Sequence, residues 1–231
     1  WPDGHGLKRA ALDSIRDPET WAPLAAALVL SVGDLDESLS DWAADDTPLF
    51  GKDAAKASDN LRDAALVAYG VTALRAPSDG IADNARGLAV GASTLFLEEQ
   101  ITSGVKKLAG RERPDGSNDR SFPSGHSTRS AAATTLAMDN LAYMAMPDWA
   151  RTTSRVGLYG IAAGTAWARV EAEKHYVTDV LVGVALGHFF AAFMDRAFLE
   201  ASSHAEPSTV ALSYQPLPGG GSLRVRARLG H

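Results

Sequence analysis

No cysteine occurs among the 231 residues. That excludes a disulfide framework, thiolate zinc and iron–sulfur sites, and a cysteine nucleophile. Positive charge is in deficit. Lys and Arg total 22 against 28 Asp and Glu, for a net charge of −6. A chain without a basic surplus lacks the electrostatic footprint of a nucleic-acid binder. Long apolar runs are also missing. The longest stretches without a formal charge are Trp21–Gly33, Val156–Ala168 and Val180–Met194. Each is shorter than the roughly 18–20 residues a membrane-spanning helix needs, and their lengths suit buried core helices. Mean hydropathy is −0.10, too polar for a protein with several spans. Internal repeats and coiled-coil heptads are absent. The first residue is Trp1 rather than Met, from which removal of an upstream segment, a signal peptide among the options, is expected.

What is present is enough for a packed core. Hydrophobic residues make up 45% and charged residues 22%, the balance of one sizeable domain with a short appendage. Alanine-rich segments with three-to-four apolar spacing predict helices at about 8–16, 20–33, 53–75, 80–109, 126–145, 149–170 and 174–202. Asp34–Lys52, Gly110–Ser124 and Glu206–Gly221 collect Pro, Gly, Asp and Ser and read as loops. Beyond them the period changes to two. Val210, Leu212 and Tyr214 alternate with small residues, and Leu223, Val225, Ala227 and Leu229 alternate with Arg224, Arg226 and Arg228. This predicts a small hairpin, or strands that pair elsewhere. The fold class is therefore all-α with a short C-terminal β-hairpin. Residues 1–205 form the helical domain, with its core at about 80–200, and 206–231 form the tail.

Three short segments carry the chemistry. Lys106 is followed by Arg113 and Pro114; Pro123-Ser124-Gly125-His126 precedes a long helical run; Arg169 is followed by His175 and then Asp179. Lys106 and Arg113 are two helical turns apart and are expected on one helix face. Two cations converging on one point need an anion, and a guanidinium fork beside a mobile ammonium suits phosphate oxygens. Ser124 is placed to cap a helix whose free N–H groups favour an anion, with Gly125 allowing close backbone approach. His126 would stand at the anion's edge to give or take a proton. His175 and Asp179 are one helical turn apart, so the carboxylate can fix the ring's tautomer and leave the other nitrogen nucleophilic. Arg169 adds a third cation. This inventory fits phosphoryl transfer through a phosphohistidine without metal or other cofactor.

These segments resemble the type 2 phosphatidic acid phosphatase (PAP2) superfamily, which includes bacterial non-specific acid phosphatases and vanadium-dependent haloperoxidases. Its motifs are Lys-x6-Arg-Pro, Pro-Ser-Gly-His and Ser-Arg-x5-His-x3-Asp. The chain matches them in order and spacing as Lys106-x6-Arg113-Pro114, Pro123-Ser124-Gly125-His126 and Ala168-Arg169-x5-His175-x3-Asp179. Ala168 stands where the family has serine, a change worth at most a neutral hydrogen bond of about 0.5–1.5 kcal/mol. The resemblance implies a helical bundle with the site at one end. It implies that Lys106, Arg113 and Arg169, with Ser124 and Gly125, hold the phosphate. It further implies that His175 attacks phosphorus, Asp179 orients His175, and His126 protonates the leaving oxygen.

The expected function is hydrolysis of phosphate monoesters or pyrophosphates, on lipid phosphates or small phosphoesters, in a periplasmic or otherwise exported enzyme with membrane association left open. A haloperoxidase-like enzyme and a non-catalytic phosphate or lipid binder are the alternatives. Oligomeric state is not legible. Other residues carry plainer expectations. His188 is read as a core or interface residue, and Trp21, Trp42, Trp149 and Trp167 as packing. Glu171, Glu173 and Lys174 are read as a solvated pocket rim. The acidic 34–46 stretch is read as a solvated connection rather than a lid.

Overall fold

A computed structural model describes residues 2–46, 49–76, 80–200, 209–217 and 220–228. The helices are α1 (Gly4–Arg16), α2 (Pro18–Leu30), α3 (Leu35–Asp41), α4 (Ala54–Arg75), α5 (Ile81–Ala109), α6 (Gly125–Tyr143), α7 (Asp148–Glu171) and α8 (Val177–Asp195). A wide helical turn, Arg196–Glu200, continues α8. Two strands, β1 (Thr209–Leu217) and β2 (Gly220–Arg228), pair antiparallel with Leu212 opposite Val225. The expected hairpin is therefore present. Leu229 and residues 201–202 of the expected last helix lie outside the described residues.

Helix α6 is the hub, packed against α4, α5, α7 and α8, while α8 is also covered by α1 and α2. Its face is built of Ala, Ser and Thr, with Ala132, Ala133 and Ala137 fully buried. Small side chains let a neighbouring backbone approach closely, and α8 supplies the matching surface. A Cβ at Gly183 would lie 2.7 Å from the Ser124 carbonyl oxygen, and one at Gly187 would lie 2.2 Å from that of Thr128. Neither helix could stay in place if these glycines gained side chains. The close approach holds the start of α6 beside the start of α8, and the Ser124 N–H donates to the Asp179 carbonyl at 3.0 Å. Two of the three sequence motifs thus meet through backbone packing before any side chain is considered.

The acidic segment corrects the expectation of a plain loop. Residues Leu35–Asp41 form α3, Trp42–Asp46 form a wide helical turn, and Asp36 and Ala43 are buried. Trp42 meets Trp167 edge to face with centroids 6.2 Å apart. Trp149, by contrast, is 73% exposed and Trp21 is half exposed, so neither is a core residue. Glu171 is buried rather than solvated, and its carboxylate accepts from the Leu49, Phe50 and Gly51 N–H groups. Lys174 pairs with Asp115. His188 is buried between α8, α6 and the start of α2, with Thr135 Oγ1 3.1 Å from Nδ1 and Asp17 3.4 Å from Nε2.

Helix α8 with its extension, Val177–Leu199, is long and apolar enough to cross a membrane by length and composition, although charge-free runs in the sequence fall short. Just over half of it is buried inside the bundle, as a core helix would be. Apolar side chains are nevertheless exposed on the outer faces of α2 (Leu28, Val29), α4 (Val67, Leu74) and α5 (Phe96, Leu108).

Candidate active site

The C-terminal end of α5, the start of α6, the end of α7 and the approach to α8 converge on a cleft of about 460 Å³. It is lined by Lys106, Arg113, Gly125, His126, Arg169 and His175, together with Arg62, Asp63 and Leu66 of α4, Glu99 of α5 and Arg129 of α6. Six of the eight residues singled out from the sequence therefore share one wall. The other two, Ser124 and Asp179, are fully buried behind it.

Local geometry departs from the expected helical spacing in both outer motifs. Helix α5 ends at Ala109, where Gly110 takes a left-handed conformation with φ 54° that a residue with a Cβ adopts only at a cost. Arg113 is therefore in the loop beyond the helix and not on one face with Lys106. Its position is fixed by the backbone, because the Arg113 N–H donates to the Asn118 carbonyl at 3.0 Å. Likewise α8 starts at Val177, so His175 precedes the helix. The His175 N–H donates to the Arg169 carbonyl at 3.3 Å, which ties the third motif's cation to its histidine.

Lys106 points into the loop as well as the cleft. Its ammonium donates to the carbonyls of Arg120 at 3.0 Å, Ser121 at 3.5 Å and Pro123 at 2.5 Å. Burial and the neighbouring Arg113 bring Lys106 down to about 8. Arg169 is 7% exposed and donates to the Ser58 hydroxyl at 3.3 Å. Burial and Arg113 lower it to about 10. Among the described residues no carboxylate pairs with Lys106, Arg113 or Arg169. Three unpaired cations around one space attract an anion.

His175 is 1% exposed. Burial, with Lys106 and Arg169 adding to it against the opposing pull of Asp179, pushes its imidazole down to about 4. The ring is therefore neutral at ordinary pH. Its Nδ1 faces Asp179 Oδ2 at 3.8 Å, too long for a hydrogen bond, which leaves Nε2 for the cleft. Asp179 is instead gripped by others: the Ser121 hydroxyl and the Tyr176 N–H donate to Oδ2, and Arg111 donates to Oδ1 at 2.8 Å. Burial opposes ionisation of Asp179, but His175, these hydrogen bonds and the Arg111 charge outweigh it and hold the carboxyl below its usual range. Arg111 also donates to Asp36 at 2.8 Å and lies 3.9 Å over the Tyr176 ring. Asp36 accepts from the Thr178 N–H at 2.9 Å. So α3, read from the sequence as a connection, buttresses the third motif's carboxylate.

Ser124 is the helix cap that the sequence predicts. Its hydroxyl caps α6, accepting from the Ser127 hydroxyl at 3.1 Å and the Ser127 N–H at 3.5 Å, and it does not line the cleft. Ala168 is fully buried in α7 and is not among the residues that line the cleft. A Cβ at Gly125 would make only ordinary contacts, 3.8 Å from Lys106 Cε.

His126 meets partners from α4. Its Nε2 lies 2.7 Å from Asp59 Oδ1 and 2.8 Å from Arg62 Nη1, while Arg62 Nη1 is 3.2 Å from the same Asp59 oxygen. The hydrogen bond to His126 holds Asp59 below its usual range. Burial and Arg169 lower His126, and Asp59 opposes that fall. Farther along, Arg129 donates to Glu98, to Glu99 at 2.7 Å and to the Leu95 carbonyl at 3.2 Å. Glu98 is fully buried and pushed up to about 7 by burial, against the pull of Arg129.

Comparison with known proteins places this geometry. The profile of the PAP2 superfamily matches residues 87–202, half of the chain. The chain belongs to the PAP2 superfamily. The PAP2 match runs from α5 through α8 and excludes α3 and α4. Over 93 residues the chain is 36% identical to a lipid A 1-phosphatase of Porphyromonas gingivalis. That stretch is 40% of this chain and spans a fifth of the relative's length. The structure is similar to the crystal structure of a transmembrane PAP2-type phosphatidylglycerolphosphate phosphatase from Bacillus subtilis, with a TM-score of 0.56 and 20% identity. The similarity covers 77% of this chain and 92% of that one and establishes the shared helical fold. Among the described residues of this PAP2 chain, no group of three His, Cys, Asp or Glu is placed to hold a metal ion.

Asp59, Arg62, Arg111, Arg129 and Asp36 were not singled out by sequence reasoning. Only Arg111 gave a signal, as a third basic residue beside Arg113 in the first motif's loop.

Proposed function

We propose that this chain is a metal-independent phosphatase of the PAP2 type, cleaving phosphate esters through a phosphohistidine. The observation that carries the reading is a neutral, buried His175 beside three cations without carboxylate partners. A phosphoryl group seated among Lys106, Arg113 and Arg169 presents phosphorus to Nε2. Attack forms the N–P bond as the ester P–O bond breaks, and His126 gives its proton to the leaving oxygen. Charge on the equatorial oxygens is met by groups already in place, at no cost in reorganisation. Imidazolium character developing on His175 is stabilised by Asp179. Water then attacks phosphorus with His126 as base, releasing phosphate and restoring both rings.

The relatives named for lipid A and phosphatidylglycerolphosphate support lipid phosphates as substrates. The exposed apolar side chains of α2, α4 and α5 support attachment to a membrane surface; an exported, periplasmic location is part of the proposal.

Hydrolysis of p-nitrophenyl phosphate tests the reading. Turnover should persist in EDTA, be inhibited competitively by vanadate and phosphate, and disappear in His175→Ala. Acid-labile, base-stable phosphate should be trapped on the wild-type chain. Loss of activity in EDTA, or an unchanged His175→Ala rate, would overturn it.

A further inference from the structure

The two ends of the cleft carry different charge. Around His175 the cations are unpaired. Beside His126, where the leaving group must sit, the guanidiniums that α4 and α6 supply, Arg62 and Arg129, are each already engaged by two carboxylates. Arg62 pairs with Asp59 at 3.2 Å and with Asp63 at 2.9 Å. Arg129 pairs with Glu98 and, at 2.7 Å, with Glu99. Asp63 and Glu99 line the cleft themselves, with Leu66 between them on the wall. With Asp59, these carboxylates outnumber the guanidiniums before Glu98 is considered. A second phosphate here would meet the Asp59, Asp63 and Glu99 carboxylates and would have to displace four ion pairs. Hydroxyl groups would displace none. They can donate to the free carboxylate lone pairs and accept from guanidinium N–H groups that remain unused.

We infer that the cleft selects phosphate monoesters whose leaving group is a neutral polyol, a sugar or glycerol unit, and rejects a leaving group that is itself a phosphate. Asp63 and Glu99 set that preference. The inference rests on the phosphatase reading and narrows it: pyrophosphates become poor substrates. The polyol can be free in water or form a lipid headgroup, since the cleft sees the same hydroxyls.

The test compares kcat/KM, which is the measure of discrimination. Glucose 1-phosphate, glycerol 1-phosphate and phosphatidylglycerolphosphate in detergent micelles are set against inorganic pyrophosphate and geranyl pyrophosphate. The wild-type chain should favour at least one polyol ester over both pyrophosphates by about tenfold or more, a preference that shrinks with added salt. The micellar and free glycerol esters tell the two sources apart. In Asp63→Asn/Glu99→Gln the ratio should fall by about tenfold, chiefly through faster pyrophosphate cleavage. Both side chains are more than half exposed, so the variant should fold, and its helical circular dichroism and thermal midpoint check that it has. Pyrophosphates cleaved as well as polyol esters by the wild-type chain, or a ratio unmoved in the variant, would overturn the inference. Failure on every substrate, p-nitrophenyl phosphate included, would instead remove the phosphatase reading on which it rests.

Discussion

At the His175 end of the cleft, Lys106, Arg113 and Arg169 stand without carboxylate partners; at the His126 end, Arg62 and Arg129 are each held by two. Both ends are rich in positive side chains, so a count of cations would treat them alike. Their pairing separates them. Burial first, and then the repulsion of unpaired cations crowded together, lowers the proton affinities of Lys106 and Arg169. An arriving dianion relieves that repulsion. Paired cations have already found their anions and act as polar, charge-balanced walls. One cleft can therefore grip a phosphoryl group firmly and a neutral leaving group by hydrogen bonds.

The sharpest way to break this contrast is to remove the nucleophile at the first end. His175→Ala should cost at least about 10³-fold in turnover of p-nitrophenyl phosphate, with phosphoenzyme trapping lost. Next, Arg169→Ala or Arg113→Ala should cost roughly 10²–10³-fold in kcat/KM, because each withdraws a donor aimed at developing charge. Vanadate inhibition should weaken in parallel, and full vanadate affinity in both variants would separate them from the phosphate.

His126→Ala probes the second end. It should slow esters of alkyl alcohols by about 10² or more and p-nitrophenyl phosphate much less, since an activated leaving group needs little protonation. Equal losses on both would remove the acid role. A pH profile sharpens the comparison. His175 must be unprotonated to attack, so kcat/KM should fall as pH drops through about 4. Lys106 must stay charged to hold phosphate, so kcat/KM should also fall as pH rises through about 8. The smallest expected effect belongs to Asp59→Asn. Asp59 favours the charged form of His126, so its neutralisation should move any limb due to His126 toward lower pH while leaving the limb near 4 unmoved.

Much of this was legible in the sequence. Apolar spacing located α4 to α8 to within a few residues, because long amphipathic helices repeat their signal over many turns. Lys106, Arg113, His126, Arg169 and His175 were legible because their motifs are short and contiguous. The Ser124 helix cap was legible too. The setting of Asp179 was less so, because its carboxylate is shared among Ser121, Tyr176 and Arg111 before it reaches His175. Helix α3 was missed since seven residues give too few turns for a periodic signal, and its acidic residues look solvated until Asp36 is seen against Thr178 and Arg111.

Local chemistry along the chain determined the helices, the absence of thiols and the inventory of cations and imidazoles, because each depends on neighbours a few residues apart. Which cations stay unpaired, and which carboxylates reach them, was decided only when α4 and α5 came to lie beside α6. Asp59 is 67 residues from His126 and Glu98 is 31 from Arg129. No local spacing rule relates residues so far apart; the packing of α4 and α5 against α6 sets the distances that pair them or leave them free.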